Sequence, residues 1–545
     1  MAGENTVKIA VVGFGPRGLG AVEALAEQAG AAASALHVDL FEPSSIPGAG
    51  PNFAPDESPV CQLNIPMRDI DIRPPHGSRC GAFADWLDAG VAPDAFSRRC
   101  DLGRYLEARY DDLRRQGGLS LRHDAAVIDR LERGDGGWML RAGPGTWHGP
   151  YAEVLMTLGQ PEVSPDKQLD HWQTHAASTG AVLHQAYPAW KLQRDATCWT
   201  GQTVAIRGLA LSAFDVIRVL TLGQGGRFES GRYIASGREP GLLVPFSLDG
   251  LPPYPKPETA ALDARFDPTK AETQRFAAAI SSAAEAPPDV ARRQVSDALL
   301  PAVCRVLDHL GEASGDAADW LSKEWQNPGS QETGPAISAL QAGISMAEGS
   351  LAPSTGFVFG QVWRKWQNTL RRGYNPATTP PDTASLLVGF DEGLKRYSYG
   401  PPISACRELM ALVEAGVVTL DFTADPEISL SPTGWTLAAN GHRAETSVMI
   451  DGVLPSPDLS RISTPLVTGL IGKGWLCAMV DGLGAQLAAD GQLLDRDGAR
   501  IPGLGFLGRL ALGSVIAADS LHDCFGQASV RWARGVVARN ALRPE

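Results

Sequence analysis

Residues 7–12, VKIAVV, make a short, nearly continuous apolar run rich in β-branched side chains, the pattern of a strand buried on both faces. A glycine-rich turn follows. From residue 19 to 28 apolar positions recur at helical spacing, and residues 37–41 return to a strand pattern, so the three segments predict a βαβ unit. Residues 44–75 are rich in Gly, Pro and Asn, as in long irregular segments that cover a ligand or move. Helical spacing resumes at 82–87 and 102–116, and runs at 119–122, 138–141 and 153–156 predict strands that continue the first unit. Residues 203–220 restart the strand, turn and helix of the N-terminus. Residues 255–385 have helical periodicity broken by Pro287-Pro288 and Pro380-Pro381, which predicts a mostly helical insertion. Beyond it the pattern predicts helix then strand at 401–422, a strand pair at 435–450, and a strand with a long final helix at 503–540.

Length and composition are consistent with this layout. A chain of 545 residues has room for two or three domains. A net charge of −13 offers no general attraction to phosphate backbones, so no nucleic-acid partner is expected. The eight cysteines form no C-x-x-C pair and share no zinc-type spacing with histidine, so neither a metal site nor a disulfide framework is expected. The first residues lack the basic start and apolar run of a signal peptide, and no apolar stretch approaches the roughly 18 residues of a membrane span. The expectation is a cytoplasmic protein without a membrane partner; a homo-oligomer is compatible with it.

The turn Gly13-Phe14-Gly15-Pro16-Arg17-Gly18 carries the strongest chemical signal, because strand residues precede it and an amphipathic helix follows. In a dinucleotide-binding turn Gly13 permits the bend, Gly15 lets backbone approach a pyrophosphate, and Gly18 lets helix and strand pack, while the helix N-terminus favours phosphate charge. Glu42, at the end of the next strand pattern, can accept hydrogen bonds from ribose hydroxyls and would repel a 2′-phosphate, which favours FAD or NAD here. The second turn, Gly208-Leu209-Ala210-Leu211-Ser212-Ala213, is a degraded version with alanine at the second glycine position. Arg232 and Arg238 fall where the following strand should end; they are expected either to pair with the 2′-phosphate of NADPH or to be solvated surface charge. No G-x-S-x-G, H-E-x-x-H or P-loop motif is present. Trp363 and Trp366 fit a helical core or a ligand platform.

The segments VVGFGPRGLG, FEPSSIPGAGPNF, QLNIPMRDIDIRPP, FADWL, DLGRYLEARY, VAIRGLALSAFDVIRVLT and ASGREP resemble the bacterial FAD/NAD(P)-binding proteins, a group related to the flavin-dependent N-hydroxylating monooxygenases of ornithine, lysine and aspartate. The resemblance covers roughly residues 5–240 and 385–545. It implies an α/β protein with two Rossmann-like dinucleotide-binding domains in a glutathione-reductase-like FAD fold. Residues 1–160 and 451–545 would bind FAD, residues 161–254 and 386–450 would form the NAD(P)-binding-like domain, and residues 255–385 the helical insertion.

Carried onto these positions, the resemblance puts Gly13, Gly15, Pro16, Arg17, Gly18 and Glu42 on FAD. It puts Gln62 and Asn64 near the isoalloxazine, and Arg68, one residue out of register, at the place of a substrate-binding lysine. Thr157 and Gly159 look like the turn joining the two nucleotide folds, Gly208 and Ser212 like the NADPH turn, and Gly508 like part of the segment that closes over the flavin. The implied activity is an NADPH-dependent FAD monooxygenase that uses molecular oxygen on a small polar substrate, in one branch the nitrogen of an amino acid such as aspartate. Gln62, Asn64 and Arg68 are its candidate catalytic residues; Arg68, Arg73, Lys395 and Arg396 are candidate cations for the substrate carboxylate. A flavin oxidase or dehydrogenase without external NADPH, and a non-catalytic redox sensor, are the alternatives.

Overall fold

The computed structural model describes residues 6–87 and 90–542. Its first sheet has six strands in the order Gln492–Leu494, Arg500–Phe506, Glu153–Met156, Val7–Val12, Leu36–Phe41, Ser120–Asp124, all parallel except the first. Strand periodicity splits Val7–Val12 between two cores. Ile9 and Val11 pack with Leu19, Val22 and Leu25 of the helix Pro16–Ala29 and with Trp532 of the final helix Gln527–Arg539. Ala10 and Val12 point the other way, towards Trp138 and Leu140 of a three-stranded antiparallel meander, Arg130–Gly134, Gly137–Arg141 and Trp147–Tyr151. Burial on both faces explains why this strand has an apolar run instead of alternation.

A second sheet repeats the plan. Its four parallel strands run in the order Leu242–Phe246, Thr203–Arg207, Val448–Asp451, Val182–Gln185. Val204 and Ile206 face the helix Leu211–Leu220, whereas Ala205 faces Trp435 and Leu437 of a second three-stranded meander. The chain reaches this sheet after Glu153–Met156 and returns to the first through Gln492–Leu494 and Arg500–Phe506, so the second fold is inserted in the first. The strand expected near 417–422 is reduced to isolated bridges, Leu243 to Val418 and Ser247 to Ala424, after the helix Ile403–Glu414.

The helices between the two halves of the second sheet form their own core around Phe276, Val295, Val303, Phe357, Trp363 and Phe390. They extend past residue 385: the helix Pro381–Leu394 and the turn Lys395–Tyr397 contribute Phe390, Leu394 and Tyr397 to that core. Trp366 stacks on Phe276 with ring centroids 4.3 Å apart, and both indoles are buried, so Trp363 and Trp366 are core residues. Leu512, Ile516 and Ala517, from the C-terminal part of the first fold, join the same core. Among the described residues no helix is long and apolar enough to cross a membrane, and no group of three or more His, Cys, Asp or Glu could hold a metal.

Candidate functional site

The first glycine turn has the shape of a nucleotide cradle. Gly13 has φ +83°, and a Cβ there would lie 2.6 Å from the Thr157 carbonyl oxygen, so both conformation and space exclude side chains. A Cβ on Gly18 would meet the Gly13 carbonyl at 2.8 Å, which is the close packing of helix on strand. Gly15 differs: its φ is −84°, and its nearest non-neighbour is the Gly50 Cα, 3.3 Å from a built Cβ. The fold itself therefore nearly tolerates a methyl at Gly15, and the space in front of it suits a pyrophosphate. Pro16 opens the helix, where its missing N–H costs nothing.

Glu42 is tied to the turn. Its Oε2 accepts from the Phe14 N–H at 2.8 Å and its Oε1 from the Ser44 N–H at 3.1 Å, leaving lone pairs on both oxygens for ribose hydroxyls. Removing this carboxylate by Glu42→Ala is expected to weaken flavin binding by about 1 to 3 kcal/mol. Titration of the apoprotein with FAD measures this; an unchanged dissociation constant would assign Glu42 to the turn alone.

Thr157 donates its hydroxyl to the Gly13 carbonyl and its N–H to the Val12 carbonyl, and Gly159, at φ +65°, lies at the start of the crossing into the second fold. Arg17 sits elsewhere than its place in the motif suggests. It is buried, pairs with Asp523 at 2.6 Å and donates to the Ala518 carbonyl at 2.8 Å, so it straps the turn to the C-terminal segment. Gly508, φ +116°, lies beside it, 3.7 Å from Arg17 Nε to a built Cβ.

Gln62 presents a buried Oε1 with no hydrogen-bond partner, an acceptor suited to a flavin N–H. With Asn64 it lines a narrow crevice whose opposite wall is Leu211, Phe214 and Arg218 of the helix behind the second turn. The crevice thus joins the segment assigned to the flavin with the fold assigned to the pyridine nucleotide. An ion pair from Arg99 to Asp215, 2.9 Å, fixes its floor, and the Tyr187 hydroxyl donates to the same carboxylate at 2.6 Å.

The second turn repeats the backbone course of the first. Gly208 has φ +114° and donates to the Phe246 carbonyl at 2.7 Å, as Gly13 donates to Phe41 at 2.9 Å. Ala210 has φ −92° and ψ −161°, almost the −84° and −160° of Gly15, so alanine fits the backbone and only its methyl differs. Ser212 lies in the first turn of the helix Leu211–Leu220.

Arg232 and Arg238 are corrected by the topology. A hairpin, Arg227–Glu229 with Arg232–Ile234, intervenes before the strand Leu242–Phe246, so both arginines precede that strand and lie at the edge opposite the Gly208 turn. The strand's length, about 13 Å, separates that edge from the turn. Both arginines are exposed. Arg238→Ala is therefore expected to leave the ratio of NADPH to NADH use unchanged, as measured by steady-state oxidation of each; a change of tenfold would restore the role.

The cations of the 386–450 region and the 68–73 loop are also occupied. Arg73 is exposed and pairs with Asp71. Arg396 donates to the carbonyls of Gly329 and Glu332 inside the helical unit. Lys395 and Arg509 both bind Asp519, at 3.2 and 2.9 Å; although burial alone would raise it, these two cations hold that carboxyl below its usual range. Arg68 pairs with Asp94 and donates to the Pro257 carbonyl at 3.0 Å, leaving a buried Nε without a partner.

Three further cations converge where the loop of Gln62 and Asn64, the C-terminal segment and the helical unit meet. Lys256 donates from Nζ to the Asn64 carbonyl at 2.6 Å and stands 5.5 Å from the Tyr399 ring centroid. Arg364 lies 3.5 Å from Asp69, whose buried Oδ2 has no hydrogen bond, and also binds Asp263. Arg371 donates from Nε to the Ala517 carbonyl at 3.0 Å and from Nη1 to Asn368 at 2.8 Å. Its charge acts on both Tyr399 and His522. His522 contacts the Asp69 carbonyl through Nε2 at 2.7 Å and ties the 69–71 loop to the C-terminal segment. Burial lowers its imidazole below the usual range against that hydrogen bond, which favours the neutral ring. Nothing in the sequence marks Lys256, Arg364, Arg371, Tyr399 or His522, because none belongs to a motif.

Residues 10–161 match the family model described as FAD-NAD(P)-binding. An L-aspartate N-monooxygenase (nitrosuccinate-forming) of Streptomyces davaonensis is 24% identical over 559 aligned positions, covering 86% of this chain and 85% of that protein. A nitrosuccinic acid synthase of Aspergillus oryzae is 29% identical over 272 residues, and the match spans 46% of this chain and only 41% of that protein. Among solved structures, an FAD-bound cadaverine monooxygenase of Erwinia amylovora superposes with a TM-score of 0.51 at 11% identity, covering 99% of this chain and 96% of that one. The last likeness is one of fold.

Proposed function

We propose, from the premise that residues 10–161 are an FAD-NAD(P)-binding module, that this chain is an FAD-dependent monooxygenase that consumes NADPH and oxygen to oxidise the nitrogen of a small acidic amino acid, L-aspartate. The observation that carries this reading is the similarity to an L-aspartate N-monooxygenase along 86% of the chain. The buried cationic cluster supplies the matching chemistry.

When bound, FAD reduced by NADPH supplies the activated oxygen. The chain's residues do the rest. The turn at residues 13–18, with Glu42, would hold the dinucleotide, and Gln62 would receive a flavin N–H at its orphan oxygen. Arg371 has no carboxylate within salt-bridge distance among the described residues, and an arginine cannot discard its charge in a buried site. It is therefore suited to a substrate carboxylate by a charge-assisted hydrogen bond, whereas Arg364 is already held by Asp263 and Asp69 and adds positive potential to the site. Arg68 borders this site without facing it as a sole clamp, since Asp94 already occupies one end of its guanidinium.

Purified protein loaded with FAD tests the reading: NADPH oxidation, peroxide and hydroxylated product are measured together with L-aspartate, L-ornithine, L-lysine and cadaverine. L-Aspartate is expected to give an N-oxygenated product with less peroxide than NADPH consumed. Peroxide equal to NADPH with every amine would replace the reading by a flavin oxidase.

A further inference from the structure

Two buried cations of the cluster, Arg371 and Lys256, have no carboxylate within salt-bridge distance among the described residues. An unpaired charge out of water is costly, and the two side chains can relieve it only in different ways. A guanidinium keeps its proton and so requires an anion. A primary amine can release its proton, and burial, with Arg364 adding to it, brings Lys256 down to about 7. Its place is fixed by geometry: Nζ donates one N–H to the Asn64 carbonyl at 2.6 Å and lies 5.5 Å from the Tyr399 ring centroid, contacts that hold the ammonium once the proton has been taken up. The charged groups around it are Arg68 and Asp69 from the turn Met67–Asp69, Asp263 from the helix Ala260–Asp263 and Arg364 from the helix Thr355–Lys365; Tyr399 faces it from the helical unit. Arg68 Nε and Asp69 Oδ2, both buried and without a hydrogen bond, have only longer ion-pair contacts, to Asp69 Oδ1 at 3.9 Å and Arg364 at 3.5 Å, and mark the same place as polar.

We propose that Lys256 is the base that takes the proton from the substrate's ammonium group, so that the nitrogen meets the activated oxygen with its lone pair available. The inference rests on the reading that the substrate is an amino acid oxidised at nitrogen. The step moves one proton and changes no other bond: R–NH3+ and the neutral Lys256 amine become R–NH2 and the Lys256 ammonium, whose hydrogen bond to Asn64 then becomes charge-assisted. As pH falls through about 7 Lys256 becomes protonated and cannot act, so product formation falls on the acid side.

The test uses FAD-loaded protein, L-aspartate and NADPH, with N-oxygenated product measured from about pH 6 to about pH 9.5, a span covering lysine at its shifted value and a free α-amine. For Lys256→Met, product at pH 7 is expected to fall by about 100-fold or more, the usual contribution of a positioned base. NADPH oxidation should continue with peroxide as its outlet. Product should then recover by about tenfold per pH unit as the substrate amine loses its own proton, whereas the wild type levels off above pH 7. Lys256→Arg, which keeps the charge and cannot give up its proton, is expected to behave as Lys256→Met does. A loss of the same fraction at every pH would assign Lys256 a structural role and overturn the proposal, as would an unaltered acid limb in either variant. If the wild type makes no N-oxygenated product while retaining FAD, the functional reading itself fails and the proposal with it.

Discussion

Replacing Gly15 by valine yields a folded protein that no longer retains flavin. At this position the protein offers only the Gly50 Cα at 3.3 Å against a Cβ, and the backbone angles suit any residue, so the obstacle is the ligand's pyrophosphate. Flavin per chain, read from the visible absorption of purified protein, is expected to fall below about one tenth of wild type, a loss of at least about 1.4 kcal/mol. Gly13→Ala provides the contrast. Its φ of +83° and the Thr157 carbonyl at 2.6 Å make it a folding lesion, expected to lower the unfolding temperature whether or not FAD is present. Full flavin retention in Gly15→Val would remove the pyrophosphate from that turn.

On the proposed reading, Arg371→Met is expected to raise KM for L-aspartate by about 10- to 100-fold, because one charge-assisted contact of about 1.5 to 3 kcal/mol is lost. Arg371 also holds the Ala517 carbonyl at 3.0 Å, so flavin content is measured alongside, to separate a lost substrate contact from a loosened C-terminal segment. Retained flavin with unchanged KM would leave Arg371 as a tie between the helical unit and that segment.

What the amino-acid pattern disclosed depended on how local the determinant is. The strand, turn and helix at residues 7–29 are legible because apolar period, glycine position and helix start lie within one short stretch; their repetition at 203–220 is legible for the same reason. Arg232 and Arg238 fall short of the strand Leu242–Phe246 because the hairpin Arg227–Glu229 with Arg232–Ile234 intervenes, and its two three-residue strands are too short to show a period in the sequence. Arg17 sits inside the most recognisable motif, yet its partner Asp523 lies 506 positions away, and no local pattern signals such a pairing. The cations at 256, 364 and 371 come from a segment whose helical period reports only its own core, and their convergence on Asn64 and Ala517 is a property of the packed chain.

The strand Arg500–Phe506 fills the place beside Glu153–Met156 in the first sheet, and the helix Gln527–Arg539 packs against Pro16–Ala29. On the ribosome, then, the segment up to Met156 emerges with one sheet edge unpaired and one helix face uncovered, and both wait while the second sheet and all the helices of the insertion are made. Such an open edge is a template for pairing with other chains, which makes the interval before the last strand arrives the vulnerable stage of biogenesis. Because Arg17 finds Asp523 only after that strand is made, flavin capture by the complete site waits for the segment that carries Asp523.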